Sequence, residues 1–264
     1  MYSNALTTKM LEGVGLERVH YFARQLLTAA DMMTEQQFFR QKLRRHNRFL
    51  HGWGVVCGCE VQEPDPETPE TDHPWQVRVC PGYIIDPQGN EIYIGPDVYF
   101  DLAGDWRQTY DPCEHPQPCP PMGTISSSAQ QNIVYLAVRY TECHVHPVRV
   151  HPVGCACDEA ACEYSRVRDD FELARLPDLP KSHENAKKAD EQWCKQLQQW
   201  LGTPRTSPPP VPPCPECPDD PWVVLAEITL PEKRDTVLNR GSIKYKGRRV
   251  LYSVTAMCLQ YLSQ

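Results

Sequence analysis

Met32, Gln36, Phe39, Leu43, His46 and Leu50 recur at alternating spacings of four and three residues, which traces one stripe along a helix. Neither proline nor glycine interrupts the chain from Ala29 to Leu50, so the spacing predicts a helix over roughly 29–50. Thr28 is placed to cap it, because its hydroxyl can accept a hydrogen bond from an orphan amide of the first turn. Asp31 holds the acidic position of a capping box, a weaker choice there than Glu or Gln. Leu27 before the cap and Met32 after it are spaced as a hydrophobic staple. Arg40, Lys42, Arg44, Arg45 and Arg48 crowd the C-terminal half, where cations complement the helix dipole. Gly52 and Gly54 then end the helix, and Trp53-Val55-Cys57 alternates as a strand does.

The pattern downstream is mostly that of strands. Trp53 to Val61 reads as a first strand and Trp75 to Val79 as a second. Tyr83-Ile84-Ile85-Asp86-Pro87-Gln88-Gly89-Asn90-Glu91-Ile92-Tyr93-Ile94 reads as strand, tight turn, strand, since Asp-Pro-x-Gly supplies the residues a turn needs. Asn132 to Tyr140 and Trp222 to Leu230 read as core strands, and Ser165 to Leu176 as a polar extended segment. Residues 183–202 read as a surface helix with Trp193, Leu197, Trp200 and Leu201 on its apolar face. Ser242 to Ser253 supplies one or two more strands, and 254–262 a short terminal helix. No period of 20–50 residues marks a solenoid.

The expected fold class is therefore α+β, with a long N-terminal helix followed by a mainly antiparallel β-sheet or barrel-like domain. Residues 1–52 form an arm and assembly helix; residues 53–264 form the β-rich part. Prolines, 26 in all, gather in loops near 64–74, 112–121 and 204–221 that interrupt the β-rich part.

Composition narrows the class. The 264 residues can bury a core without staples, and 41% apolar content is ordinary for a globular chain. No apolar run approaches the roughly 20 residues a bilayer crossing needs. The N-terminus lacks the pattern of a secretory signal. A cytoplasmic location is expected, as part of an assembled particle that lysis could release or that docks to a membrane. Net charge is −7, with no extended basic surface, so nucleic acid is not an expected partner. The basic cluster at 40–48 is read as a solvated helix face.

Thirteen cysteines in a chain of this kind argue for free thiols or a metal site rather than a disulfide framework. Cys143, Cys155, Cys157 and Cys162, with His144, His146 and His151 among them, fall in one stretch, 143–162. Zinc takes four thiolate or imidazole ligands in a tetrahedron, and a loop can supply them. Cys214 and Cys217 have the C-x-x-C spacing inside a proline linker, where a thioredoxin-like role fails for want of a strand-to-helix junction. They could share an ion with Cys113, Cys119 or His115. Structural zinc and simple reduced thiols both remain open for these sets. No G-x-S-x-G, H-E-x-x-H, P-loop or dinucleotide fingerprint is present. Trp53, Trp75 and Tyr83 could form a ligand platform, though core or interface packing suits aromatics on alternating strands better.

Four stretches carry a resemblance. They are Phe22 to Glu60, Val79 to Ile92, Leu136 to Glu142 with Cys162 to Val167, and Val223 to Ile228. Together they resemble a family of structural subunits of contractile phage tails and phage-tail-like contractile injection systems. Cys59 departs from the aliphatic residue expected there, which puts any inherited role for Cys57 and Cys59 in doubt. The resemblance implies assembly into a tail, baseplate or fibre attachment and carries over no catalytic residue. The expected function is a non-catalytic structural subunit that contacts other subunits and copies of itself as a homo-oligomer. Met32, Phe39, Leu43 and Leu50 are its expected interface. A glycan- or ligand-binding module at a fibre or spike, and a zinc-dependent enzyme built on the Cys/His stretch, are the competing classes.

Overall fold

A computed structural model describes residues 15–63, 73–103, 124–125, 132–150, 161–202, 208, 211, 214–215, 217–233 and 236–251. Helix α1 is Ala29–His46, continued by one π-helical turn, Asn47–His51, that ends at Gly52 with φ +79°. Then come β1 Gly54–Gly58, β2 Val61–Gln62, β3 Gln76–Val79, β4 Gly82–Ile85, β5 Glu91–Ile94 and β6 Val98–Asp101. After β7 Thr124–Ile125 follow two long strands, β8 Ile133–Val150 and β9 Ala161–Leu176, then helix α2 Lys181–Leu201. Strands β10 Val223–Thr229 and β11 Ile243–Lys244 complete the order. The chain is α+β as expected: one N-terminal helix, then sheets whose pairings are antiparallel except that of β7 with β9. Most of the proline-rich loops and the helix expected at 254–262 lie outside the described residues.

The single strand expected from Trp53 to Val61 is two strands joined by a corner. Gly58 (φ +62°) and Cys59 (φ +55°) both take left-handed backbone there, which a strand cannot continue through. The bonds Cys59 N–H to Pro81 O (3.0 Å) and Cys80 N–H to Glu60 O (2.8 Å) carry the pairing around it. The approach needs glycine. A Cβ on Gly58 would lie 2.1 Å from the Pro81 carbonyl oxygen, and one on Gly82 would lie 2.3 Å from Cys59 Sγ. The corner splits what would be one sheet into two, ordered β1-β4-β5 and β2-β3-β6. Cys59 fills the bend as a small hydrophobe, and burial pushes its thiol up to about 11, so it stays protonated and unreactive.

The third sheet runs β11-β10-β8-β9-β7. Its strand β10 reads Val-Val-Leu-Ala-Glu-Ile-Thr and is buried on both faces from Val223 to Ile228. A continuous apolar run, rather than alternation, marks such a strand. By contrast β5 alternates exposed and buried, Glu91 and Tyr93 outward, Ile92 and Ile94 inward. The inward residues of all three sheets meet in one core that includes Trp53, Val77, Ile84, Leu136, Leu173 and Leu225.

Strands β8 and β9 outrun this sheet. β10 accompanies β8 as far as Val138, whereas β9 stays paired with it to Val150. From Arg139 onward the two strands continue as a ribbon. Eighteen residues at ~3.4 Å each give β8 a length of roughly 60 Å. A two-stranded ribbon is marginal in water, and cross-strand polar pairs support this one. Arg139 bonds the buried Glu172 carboxylate (Nε to Oε2, 2.7 Å), and the Tyr140 hydroxyl donates to Asp169 (2.5 Å).

One buried node ties the distant parts of the chain together. His183, in the first turn of α2, stacks edge-on against Trp53 with centroids 4.7 Å apart. Its Nε2 accepts the Val224 N–H at 3.1 Å, and Nδ1 faces Ser182 Oγ at 3.3 Å. Arg249 lies over the Trp53 ring, donates to its carbonyl at 2.9 Å and pairs with Asp190 of α2. A protonated imidazole would turn an N–H toward the Val224 N–H. Burial, then the Arg249 charge, accordingly push His183 down from 6.5 to about 4. Its folded pKa lies below its unfolded one, so its contribution is complete above pH 6.5 and lost as pH falls toward 4. That loss is worth roughly 3 kcal/mol. Chemical denaturation between pH 7.5 and 4 should show it. His183→Gln, whose amide oxygen can accept the same N–H, should flatten that part of the profile.

Candidate assembly surface

The start of α1 is built as its sequence indicates. Thr28 N–H donates to Asp31 Oδ2 at 2.9 Å and Asp31 N–H to Thr28 Oγ1 at 3.2 Å, a complete capping box. The side-chain and then the backbone hydrogen bond from Thr28 hold the Asp31 carboxyl below its ordinary value. Thr34 Oγ1 adds a bond to the Ala30 carbonyl at 2.9 Å.

The far end of α1 is anchored on the β4–β5 turn. Asp86, wholly buried, accepts the amides of Gln88 and Asn90 on Oδ1 at 2.8 Å each, and Asn90 Nδ2 on Oδ2 at 2.7 Å. The turn so fixed presents Asn90 Oδ1 to Arg44 Nε (2.5 Å) and the Gly89 carbonyl to Asn47 Nδ2 (3.0 Å). Gly89 has φ +89°, and a Cβ there would sit 2.3 Å from the Arg44 carbonyl oxygen. Backbone thus touches backbone where helix meets hairpin. Burial raises the Asp86 pKa, opposed by its Asn90 and Gln88 bonds and by the Arg44 charge. Midway along the helix Arg40 forms an ion pair with Glu142 on the ribbon.

Between cap and anchor α1 has no buried residue. Asp31, Glu35, Phe38, Gln41, Arg44 and Arg45 are half-buried, and they mark the side nearer the protein body. The expected interface residues lie on the other side. Met32 is 57% exposed, Phe39 59%, Leu43 49% and Leu50 70%. Met33, Leu26 and Phe22 extend the apolar surface. Covering a side chain left half open in this way is worth about 1–2 kcal/mol. Most helical stability in proteins comes from packing an amphipathic face, so α1, with no buried residue, relies on its cap, its anchor and whatever covers its stripe.

The other expected sites fare differently. Cys143 is disulfide-bonded, which removes it from any thiolate ligand set and corrects the expectation of reduced cysteines along the ribbon. Cys155 and Cys157 lie outside the described residues, as does the side chain of Cys162. Cys214 is an exposed thiol and Cys217 a half-buried one. Among the described residues no group of three or more His, Cys, Asp or Glu could hold a metal. The aromatics follow the preferred expectation of packing rather than that of a ligand platform. Trp53 and Trp75 are buried in the core, and Tyr83 is half-buried, with burial and its bond to Glu91 pushing its hydroxyl up to about 12. No helix of the described residues is long and apolar enough to cross a membrane.

The anchor residues Arg44, Asn47, Gly89 and Asn90 were not expected to act together. The Asp-Pro-x-Gly-Asn turn was legible, but nothing in the spacing says that a helix 42 or more residues upstream sits on it.

No protein-family model matches the chain, and no curated protein matches it. Among solved structures it is similar to a chain of the type VI secretion system TssK-TssF-TssG baseplate subcomplex, determined by cryo-electron microscopy. The likeness covers 72% of this chain and 73% of that one, at 12% identity and a TM-score of 0.30. A superposition that loose carries no weight for fold or function.

The anchor makes a direct prediction. Asp86→Ala leaves the Gln88 and Asn90 amides without their buried acceptor and should lower stability by about 2–4 kcal/mol in urea titration. Gly89→Ala should instead detach the helix: amide exchange at 40–47 should rise at least tenfold while β10 stays protected.

Proposed function

We propose that the chain is a non-catalytic structural subunit of a contractile phage-tail-like injection particle, a baseplate, tail or fibre-attachment component that works by binding other subunits. The observation that carries this reading is α1 itself. A capped helix, locked to its own body at one end, keeps the apolar stripe Met32, Phe39, Leu43 and Leu50 in solvent. An enzyme gains nothing from that exposure, whereas a chain that is gripped by neighbours needs it. The kind of particle comes from the resemblance of the helix-to-strand segment Phe22 to Glu60, together with the Val79 to Ile92 hairpin, to subunits of contractile tails. The ribbon β8–β9, reaching well beyond its sheet, gives such a subunit a second element with which to reach a neighbour.

The stripe is separable from the fold. Met32→Gln, Phe39→Gln and Leu43→Gln together replace exposed side chains with residues of good helix propensity, so thermal stability should hold within ~1.5 kcal/mol. In the wild type the chain should co-sediment with sheath and tube proteins of its particle. The triple variant should fall out of that fraction by tenfold or more with unchanged circular dichroism. A wild-type chain that never co-sediments with those proteins, or a triple variant incorporated as well as wild type, contradicts the proposal.

A further inference from the structure

The exposed stripe of α1 has the spacing of a coiled-coil seam. Residues 32, 36, 39, 43 and 46 fall on alternating d and a positions of a heptad, every one of them exposed, and exposed Leu50 follows in the π-helical turn. Apolar Met32, Phe39, Leu43 and Leu50 are interrupted by Gln36 at an a position and His46 at a d position. Polar residues inside a seam lower its stability and fix its register. The half-buried residues of α1 lie away from this line, except Glu35, which flanks it on the side nearer the body, so the seam itself is left open.

The charges beside the seam select the partner. Glu35 occupies a g position, Arg40 the e position five residues later, and Lys42 the next g position. Two copies of α1 side by side and parallel set each Glu35 against the other copy's Arg40, the g-to-e′ contact that steers pairing in coiled coils. The antiparallel arrangement that overlays the same stripe, with Phe39 opposite Leu43, instead brings Arg40 against Arg40 and Lys42 against Lys42. Like charges there repel. Arg40 already bonds Glu142 and Glu35 Oε2 already accepts the Val19 N–H at 3.3 Å, but a guanidinium carries five donors and a carboxylate about four acceptor sites, so each can serve a second partner.

We infer that α1 is covered by α1 of a second copy of this chain, in a parallel two-helix seam whose register is set by Glu35–Arg40 pairs across a two-fold axis. This rests on the reading of α1 as an assembly surface and names its first occupant. Both bodies then lie at the same, C-terminal end of the helix pair, each held there by its own Asp86–Asn90 turn. The two ribbons flank the pair.

A charge exchange on the full-length chain tests it. By light scattering the wild type should have twice the 30.3 kDa mass of one chain. Glu35→Arg alone places arginine opposite arginine, and Arg40→Glu alone places glutamate opposite glutamate, so each should run at 30.3 kDa. Mixed one to one, the two variants form both attractive pairs in the heterodimer, and the doubled mass should return. Loss of folding cannot produce that recovery. A wild type at the mass of one chain, single variants that stay dimeric, or a mixture that stays monomeric overturns the inference. If any of these occurs while the wild type still enters the particle and the triple glutamine variant does not, the helix is an assembly surface for a different chain and only the second copy is lost.

Discussion

The structure depends on one contact, the seating of a helix end on a β-turn. Asp86 is buried and saturated with donors from its own turn, so the turn is stiff before the helix reaches it. Gly89 lets the Arg44 backbone come within a distance that a methyl group would block. Arg44 and Asn47 then add side-chain bonds to the same few atoms. The result is a helix held near its C-terminal end with its direction fixed. That arrangement explains how α1 can stand outside the core and still present a defined stripe.

The rest of the molecule backs that contact. Strand β4 runs antiparallel to β1 and sets Ile85 beside Gly54, so the β4–β5 turn comes back beside the end of the helix. The His183 node ties Trp53, just past the helix, to α2, to β10 and to the segment at Arg249. Residues 53, 183, 224 and 249 are far apart in the chain, and their meeting makes the base of α1 rigid. Two elements reach past the core: α1, which has no buried residue, and the ribbon, which outruns its sheet.

Much of this was legible from residue order. The helix, its cap and its stop at Gly52 follow from local chemistry, which acts within a few residues and needs no tertiary knowledge. The β4–β5 turn was legible for the same reason. The outward facing of the stripe was expected through the resemblance, not through its composition, because an apolar stripe alone reads as core. Where sequence reading failed, long-range geometry decided. The corner hid in Cys-Gly-Cys because Gly58 inside an alternating run signals at most a bulge, and Cys59 does not announce the left-handed backbone it takes. Trp53 and Trp75 are core, as aromatics on alternating strands suggested, but which distant segments cover them is fixed by sheet pairing. Cys143 looked like a metal ligand and is disulfide-bonded, two states that spacing cannot distinguish.

The central claim, that α1 is made to be covered by other polypeptide, is tested most directly by amide hydrogen exchange on the same full-length chain, first dilute and then in its assembled state. The account predicts that amides of residues 32–43 slow by at least tenfold on assembly, while those of β3, β5 and β10 keep their rates. Residues 32–43 that are already as slow as β10 in the dilute chain, or whose rates do not change on assembly, would contradict it.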